Sequence, residues 1–133
     1  MSNANIAFVQ SLYAAFGKGD VATVVNGCTP DVDWQSVGRP SDYPGFGPRQ
    51  GQAAVGDFFK IVGENNDFHR FSPNEFYTAE DKVFVLGDYA MTLKKSGKKF
   101  ASEWVHIFTI RGGKVAKFRE FLDTAQAAEA YRA

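Results

Sequence analysis

Two residues with acid–base chemistry, His106 and Asp123, lie in strongly apolar surroundings near the C-terminus. Both belong to EWVHIFTIRGGKVAKFREFLDT, residues 103–124, which has the pattern of a strand, a glycine turn and a second strand. Pairing of these strands would bring an imidazole and a carboxylate near one another on a half-buried sheet. Such a pair can move protons on a substrate, or it can be two satisfied polar groups beside a core.

The carboxylate of Asp123 suits the abstraction of a proton from a carbon next to a carbonyl. Partial burial among Phe118, Phe121 and Leu122 would raise its pKa toward the working pH and make it a stronger base. The helix-forming stretch TAQAAEA follows Asp123, so capping of a C-terminal helix is an equally good interpretation. The two roles are compatible, and the sequence leaves both open.

His106 shares a predicted strand face with Trp104 and Phe108, which directs it into a pocket. There it can donate a hydrogen bond to an oxyanion or return a proton to a product near neutral pH. The alternative is a core histidine that is hydrogen-bonded to a neighbouring Glu or Tyr.

Glu120 lies on the strand face that also carries Phe118 and Leu122. It can orient His106 across the sheet, or it can pair with an arginine at the rim. Strand alternation places Glu120 and Asp123 on opposite faces, so a β-bulge is required if both reach one pocket.

Aromatic residues recur along the whole chain and can form the walls of a flat, apolar cavity with a few hydroxyl donors. They can equally fill a core and a dimer interface. The candidates for the substrate-binding walls are Tyr13, Trp34, Tyr43, Phe46, Phe59, Tyr89, Trp104 and Phe118, with Glu120 as the polar member.

The composition bounds the class of protein. The chain has 133 residues, of which 44% are hydrophobic and 15% aromatic, and this suits a single domain over residues 1–133. Its net charge of zero argues against nucleic acid or an anionic membrane as a partner. No apolar run approaches the roughly 20 residues of a membrane-spanning helix, and MSNANIAFVQ lacks a signal-peptide pattern. We therefore expect a soluble cytoplasmic protein.

The usual signatures of metals and cofactors are missing from the sequence. Cys28 is the single cysteine, and its apolar helix face predicts a buried, unreactive thiol. The two histidines are isolated, and no phosphate loop or dinucleotide-binding motif is present. We expect no metal and no cofactor.

Helical spacing of apolar residues predicts three helices in the N-terminal half, from Asn5 to Gly17, from Asp20 onward, and over 52–64. A strand at 31–37 precedes a glycine- and proline-rich loop at 38–51, which can be a lid, a binding segment or a connection. Four runs rich in β-branched and aromatic residues follow as strands, at 68–79, 82–94, 98–111 and 114–123.

This order predicts an α+β domain in which three N-terminal helices pack on a curved, mostly antiparallel sheet. The strands are apolar on both faces, and a sheet of that kind usually packs against a second subunit. We therefore expect a homodimer. Residues 124–133 are a helical tail or an extension.

Three stretches carry a resemblance to a known family: FVQSLYAAFGKGDVATVV near the start, GFGPRQGQAAVGDFF in the middle and EWVHIFTIRGGKVAKFREFLDTA at the end. With them the chain resembles the NTF2-like superfamily, in its SnoaL-like polyketide cyclase and ketosteroid-isomerase-related branch. The resemblance spans nearly the whole chain and implies a cone-shaped pocket between three helices and a curved sheet. It specifies fold better than function, because one fold hosts many activities.

The resemblance also implies site residues. In polyketide cyclases of this branch a histidine on the penultimate strand and an aspartate near the end of the last strand face the substrate, and these positions are similar to His106 and Asp123. Limonene-epoxide hydrolases need an arginine and a second aspartate where this chain has Trp104 and His106. That activity is therefore not expected.

True steroid isomerases differ from this chain at three positions. Gln35 stands at the position of their aspartate base, and Leu12, beside Tyr13, stands at that of their oxyanion tyrosine. Val105 stands at the position of their second oxyanion donor. Steroid isomerisation by that mechanism is not expected.

Together these observations favour a cofactor-independent enzyme that moves a proton on an apolar, carbonyl-bearing small molecule. Asp123 is the expected base and His106 the proton donor or oxyanion partner. The alternative is a non-catalytic binding module that holds a hydrophobic ligand or a partner.

Overall fold

Residues 2–132 are described by the structure, a computed structural model, and they form four helices and six strands. The helices are α1 (Ser2–Gly17), α2 (Val21–Asn26), α3 (Gln52–Asn65) and α4 (Thr124–Arg132). The strands are β1 (Cys28–Ser36), β2 (Gly47–Gln50), β3 (Asn66–Ala79), β4 (Lys82–Leu93), β5 (Lys99–Arg111) and β6 (Lys114–Leu122).

The strands form one open, curved sheet in the order β2-β1-β6-β5-β4-β3. β1 runs parallel to β6, and the other neighbouring pairs are antiparallel. The α+β class is confirmed, and the sheet is mixed.

Two predicted elements differ in detail from the structure. The loop at 38–51 contains a short edge strand, β2, whose Pro48 is tolerated because an edge strand needs few ladder bonds. Only α1 and α2 precede the sheet, since α3 follows β2 and the C-terminal tail forms a fourth helix. The description of three N-terminal helices is therefore only partly correct.

The core lies between the helices and one face of the sheet, called here the inner face. Every second residue of β4 is buried, as expected of a strand with one face on a core. Val9 and Leu12 of α1 and Val55 of α3 are buried against this face. Cys28 is fully buried, as predicted, but it is the first residue of β1 and does not lie on a helix face. Burial raises the pKa of its thiol to about 11. Within residues 2–132, no helix is long and apolar enough to cross a membrane.

Gly87 of β4 makes room for the largest side chain of the inner face. It pairs with Trp104 of β5, and a Cβ at this position would overlap the indole and lie 2.5 Å from the carbonyl oxygen of Ser72. The indole lies flat over the glycine and stacks on the ring of His106, with centroids 3.8 Å apart and planes 18° apart. Gly87 thus helps to fix the plane of the His106 ring.

The opposite, outer face of the sheet is partly exposed and apolar. Leu86, Val105 and Phe121 lie side by side across β4, β5 and β6, and Phe121 is 45% exposed. Tyr77 of β3 is 54% exposed on the same face. The homodimer predicted from the sequence would form through this surface. It stays a prediction.

We expect Gly87→Ala to lower the free energy of unfolding by about 1–3 kcal/mol, because the methyl group overpacks a site bounded by an indole and a backbone carbonyl. Gly63→Ala is the matched control, since its added Cβ meets nothing within 4 Å in α3, and it should stabilise by about 0.5–1 kcal/mol. Urea unfolding of both variants measures this. A Gly87→Ala protein with the same free energy of unfolding as wild type would contradict the packing described for Trp104.

For the predicted homodimer, light scattering of the purified chain should give twice the monomer mass. Phe121→Glu should shift the particle toward the monomer, because it places a charge in an apolar contact. Lys18→Glu changes charge on the helical side of the molecule and should leave the mass unchanged. A monomeric wild type would refute the dimer.

Candidate functional site

A cavity lies between the inner face of the sheet and the helices. Its volume is about 110 Å³, and its walls are mostly aromatic and aliphatic. Polar residues nevertheless reach it from α1, the β1–β2 loop and five of the strands. They are Tyr13, Ser36, Tyr43, Asn66, Tyr89, His106 and Glu120.

His106 and Glu120 form the centre of this polar set. The two residues pair directly across β5 and β6, so their side chains leave the sheet side by side on the inner face. Nε2 of His106 lies 2.8 Å from Oε2 of Glu120, and the residues are 5% and 9% exposed. This hydrogen-bonded pair is therefore shielded from water.

Glu120 receives two further hydrogen bonds, from side chains of β1 and β4. The Ser36 hydroxyl donates to Oε1 at 2.7 Å, and the Tyr89 hydroxyl donates to Oε2 at 3.3 Å. Burial alone raises the pKa of Glu120, but the hydrogen bonds and the charge of His106 outweigh it, so the pKa lies below its ordinary value. Glu120 is an anion at neutral pH.

Tyr13 extends the chain of hydrogen bonds on the other side of the imidazole. Its hydroxyl lies 2.7 Å from Nδ1 of His106, and the two rings are stacked with planes 10° apart. Burial and the negative charge of Glu120 raise the pKa of Tyr13 well above its ordinary value, so the phenol stays protonated. Since Glu120 accepts only, Nε2 of His106 donates to it, and in the ring form with a single proton Nδ1 accepts from the Tyr13 hydroxyl.

These hydrogen bonds join the Tyr13 hydroxyl, the His106 imidazole and the Glu120 carboxylate in one line. In such an arrangement the imidazole can take the hydroxyl proton, while the carboxylate holds the ring and stabilises its positive charge. Both ring nitrogens of His106 are occupied, so the Tyr13 oxygen is the end of the chain that is left to face a ligand.

Asp123 lies outside this site, and the predicted base role is corrected here. Strand β6 pairs regularly with β5 from Phe118 to Leu122, so no bulge turns Asp123 inward. The exposed carboxylate caps α4, accepting from the backbone N–H of Gln126 at 3.0 Å and from its side chain at 2.7 Å. These hydrogen bonds lower the pKa of Asp123, opposite to the rise expected for a buried base.

Trp104 also differs from its predicted place. Its indole is buried behind His106 and does not line the cavity. The other predicted substrate-binding residues do line it, and their role in binding stays a prediction. They are Tyr13, Trp34, Tyr43, Phe46, Phe59, Tyr89, Phe118 and Glu120.

Sequence reasoning missed Ser36 and Asn66 as members of the site. Ser36 ends β1 and meets Glu120 through the parallel β1–β6 pairing, which has no local signal in the sequence. Asn66 begins β3 directly after α3, where an asparagine is usually explained as a helix end. Among residues 2–132, no cluster of His, Cys, Asp and Glu side chains could hold a metal ion.

The lowered pKa of Glu120 predicts the pH dependence of stability. A carboxyl whose pKa is lower in the folded state stabilises the fold above its unfolded pKa of roughly 4.3, and this contribution is lost as pH falls through the folded pKa. Glu120→Gln should therefore lower the free energy of unfolding by about 1–3 kcal/mol at pH 7. The gap to wild type should close below about pH 4.

Melting temperatures between pH 3 and pH 7 measure this difference. Glu129→Gln removes an exposed carboxylate of α4 and serves as the matched control, with a curve that follows wild type. Parallel curves for wild type and Glu120→Gln would mean that Glu120 is not the buried anion described above.

Comparison with solved structures supports the fold over the full chain. An NTF2-like protein of unknown function from Burkholderia pseudomallei is 28% identical, with a TM-score of 0.89 and coverage of 100% of both chains. An NTF2-like protein from Burkholderia xenovorans is 27% identical, with a TM-score of 0.89 and 98% of both chains covered. TerC, co-crystallised with polyporic acid, is 27% identical, with a TM-score of 0.85 and coverage of 98% of this chain and 99% of TerC.

No curated protein matches the sequence. The sequence profile of the SnoaL-like domain, in contrast, matches residues 9–118, which is most of the chain. The resemblance carried by the three sequence stretches is thereby confirmed. This chain belongs to the SnoaL-like domain family of the NTF2-like superfamily.

Proposed function

We propose that this protein is a cofactor-independent enzyme that transfers a proton on an apolar, carbonyl-bearing small molecule, as an isomerase or cyclase would. One observation carries the proposal: the Tyr13–His106–Glu120 line of hydrogen bonds in the wall of an apolar cavity. A buried carboxylate with its hydrogen-bonded partner generally stabilises a fold less than apolar residues of the same size do. Its place in a cavity therefore favours a chemical role.

Tyr13 is the proposed contact with the reacting atom. Its oxygen takes a proton from the carbon next to the substrate carbonyl while its own proton passes to Nδ1 of His106. The imidazolium is then held by the Glu120 carboxylate, so no free tyrosinate is needed at rest. The proton returns along the same path to a different substrate atom, which completes an isomerisation without any oxidant or reductant.

The substrate is a flat molecule of about one ring. A cavity of about 110 Å³ is close to the roughly 150 Å³ cavity that holds benzene in another protein. The apolar walls favour an aromatic or cyclic ketone.

The second candidate is a binding module in which the same cavity holds a ligand and the polar line only stabilises the fold. This role needs no proton transfer. The two candidates therefore differ in one measurable property, the exchange of ligand protons with solvent.

We expect the wild-type protein to accelerate deuterium exchange at the carbon next to the carbonyl of single-ring aryl and cyclic ketones in D2O, followed by NMR. Tyr13→Phe and His106→Asn should each slow this exchange by about 10²–10⁴-fold, since each breaks the path of the proton. Chemical-shift changes of cavity residues report binding separately.

Asp123→Asn is the matched control. Asparagine caps a helix as well as aspartate does, so this variant should fold and exchange like wild type. Loss of exchange in Asp123→Asn alone would return the base to Asp123. Binding of ketones without exchange in the wild type would leave the binding module as the function.

A further inference from the structure

Three buried polar atoms in the cavity walls have no hydrogen-bond partner among residues 2–132. They are Oη of Tyr43, Oδ1 of Asn66 and Nε1 of Trp34. Tyr43 is only 7% exposed. In contrast, the hydrogen bonds of Tyr13, His106 and Glu120, called here the proton-transfer line, are satisfied within the protein. These residues bond to one another and to Ser36 and Tyr89.

An unpartnered buried polar atom is unusual, because a buried donor or acceptor loses its bonds to water without replacement. Tyr43 and Asn66 lie together: the Asn66 amide is near enough to the Tyr43 phenol to offset part of the rise in pKa that burial causes there. That rise keeps Tyr43 protonated, so its hydroxyl remains a donor at neutral pH.

We propose that Tyr43 and Asn66 form a second polar subsite of the cavity that binds a hydroxyl group on the substrate. The ligand hydroxyl accepts a hydrogen bond from the Tyr43 phenol and donates one to Oδ1 of Asn66, which satisfies two of the three unpartnered atoms. A carbonyl could only accept and an ammonium could only donate, so a hydroxyl fits this pair of groups best. The proposal rests on the proposed function and narrows its substrate to a hydroxylated aryl ketone.

The subsite comes from a different part of the fold than the proton-transfer line. Tyr43 lies in the loop between β1 and β2, and Asn66 is the first residue of β3. The Tyr43 ring is held by edge contacts with Phe46, at 5.2 Å between centroids, and with Tyr131 of α4, at 5.6 Å. The loop at 38–51 therefore forms part of the cavity wall and does not merely connect two elements.

Calorimetric titration tests the subsite with pairs of ligands that differ in one group. The pairs are 3- and 4-hydroxyacetophenone and their methyl counterparts, in which a methyl group of similar size replaces the hydroxyl. Wild type should bind one of the hydroxy ketones about two- to tenfold more tightly than its methyl counterpart, as expected for hydrogen bonds to one hydroxyl. In Tyr43→Phe this preference should vanish.

Tyr131→Phe is the matched control, because it removes a phenol hydroxyl beside Tyr43 but outside the cavity wall. It should keep the preference of wild type. Melting temperature provides a second readout: Tyr43→Phe should melt at or above the wild-type temperature without ligand, because the deleted hydroxyl has no partner.

The outcomes separate this inference from the function on which it rests. Equal binding within both ligand pairs, or a preference that survives Tyr43→Phe, would overturn the subsite and leave the ketone site intact. No binding of any of the ketones would overturn the proposed function and the subsite together. A hydroxyl preference that Tyr43→Phe removes and Tyr131→Phe keeps would establish the subsite.

Discussion

The arrangement of the site depends on the burial of one negative charge, that of Glu120. A carboxylate removed from water must regain its hydrogen bonds from the protein, or it is neutralised by a proton. Here the partners come from β1, β4 and β5 through Ser36, Tyr89 and His106, and α1 joins the network through Tyr13. The network therefore requires the correct position of four elements at once, and a shift of any strand by one residue would remove a partner.

The aromatic residues around Glu120 and His106 offset the free-energy cost of burying this charge. Trp104 stacks on one side of the imidazole, and Phe118 meets its ring at 4.9 Å in an edge contact. These contacts exclude water, which strengthens the electrostatic attraction between His106 and Glu120. The same apolar surface supplies most of the stabilisation of the fold. The same aromatic side chains therefore fill the core and surround the His106–Glu120 pair. Trp104 can do both because Gly87 has no side chain to block its indole.

Local patterns in the sequence predicted much of this structure. Helical and alternating periodicities located α1, α3 and the four long strands, and alternation placed Glu120 on the same face as Phe118 and Leu122. Pro73 lies in edge strand β3 beside a register shift, which is where a residue without a backbone N–H is tolerated in a sheet. Asp123 shows the limit of such reasoning, because an aspartate that caps a helix and an aspartate that acts as a catalytic base can have the same local sequence.

What the sequence could not show depends on contacts between distant residues. Ser36 and Glu120 are 84 positions apart, and only the parallel pairing of β1 with β6 brings them together. The proton-transfer line needs α1 as well, because Tyr13 and His106 are 93 positions apart. Neither pairing has a local signature. The sequence analysis named Tyr13 as a wall residue beside the oxyanion-tyrosine position, but it did not predict the hydrogen bond of Tyr13 to His106.

Under the proposed function, the satisfied polar groups of the cavity transfer the proton and the unsatisfied ones recognise the substrate. Groups that bond to one another, such as His106 and Glu120, are fixed before any ligand arrives, which is the preorganisation that proton transfer requires. Tyr43 and Asn66 have free bonding capacity and lie at the loop side of the cavity. Because Tyr43 has no hydrogen bond to the proton-transfer line, substitutions in its loop can alter which ligand is recognised while the line stays intact. Loops on a rigid scaffold commonly vary in this way, and in this fold it would allow one proton-transfer geometry to serve different substrates.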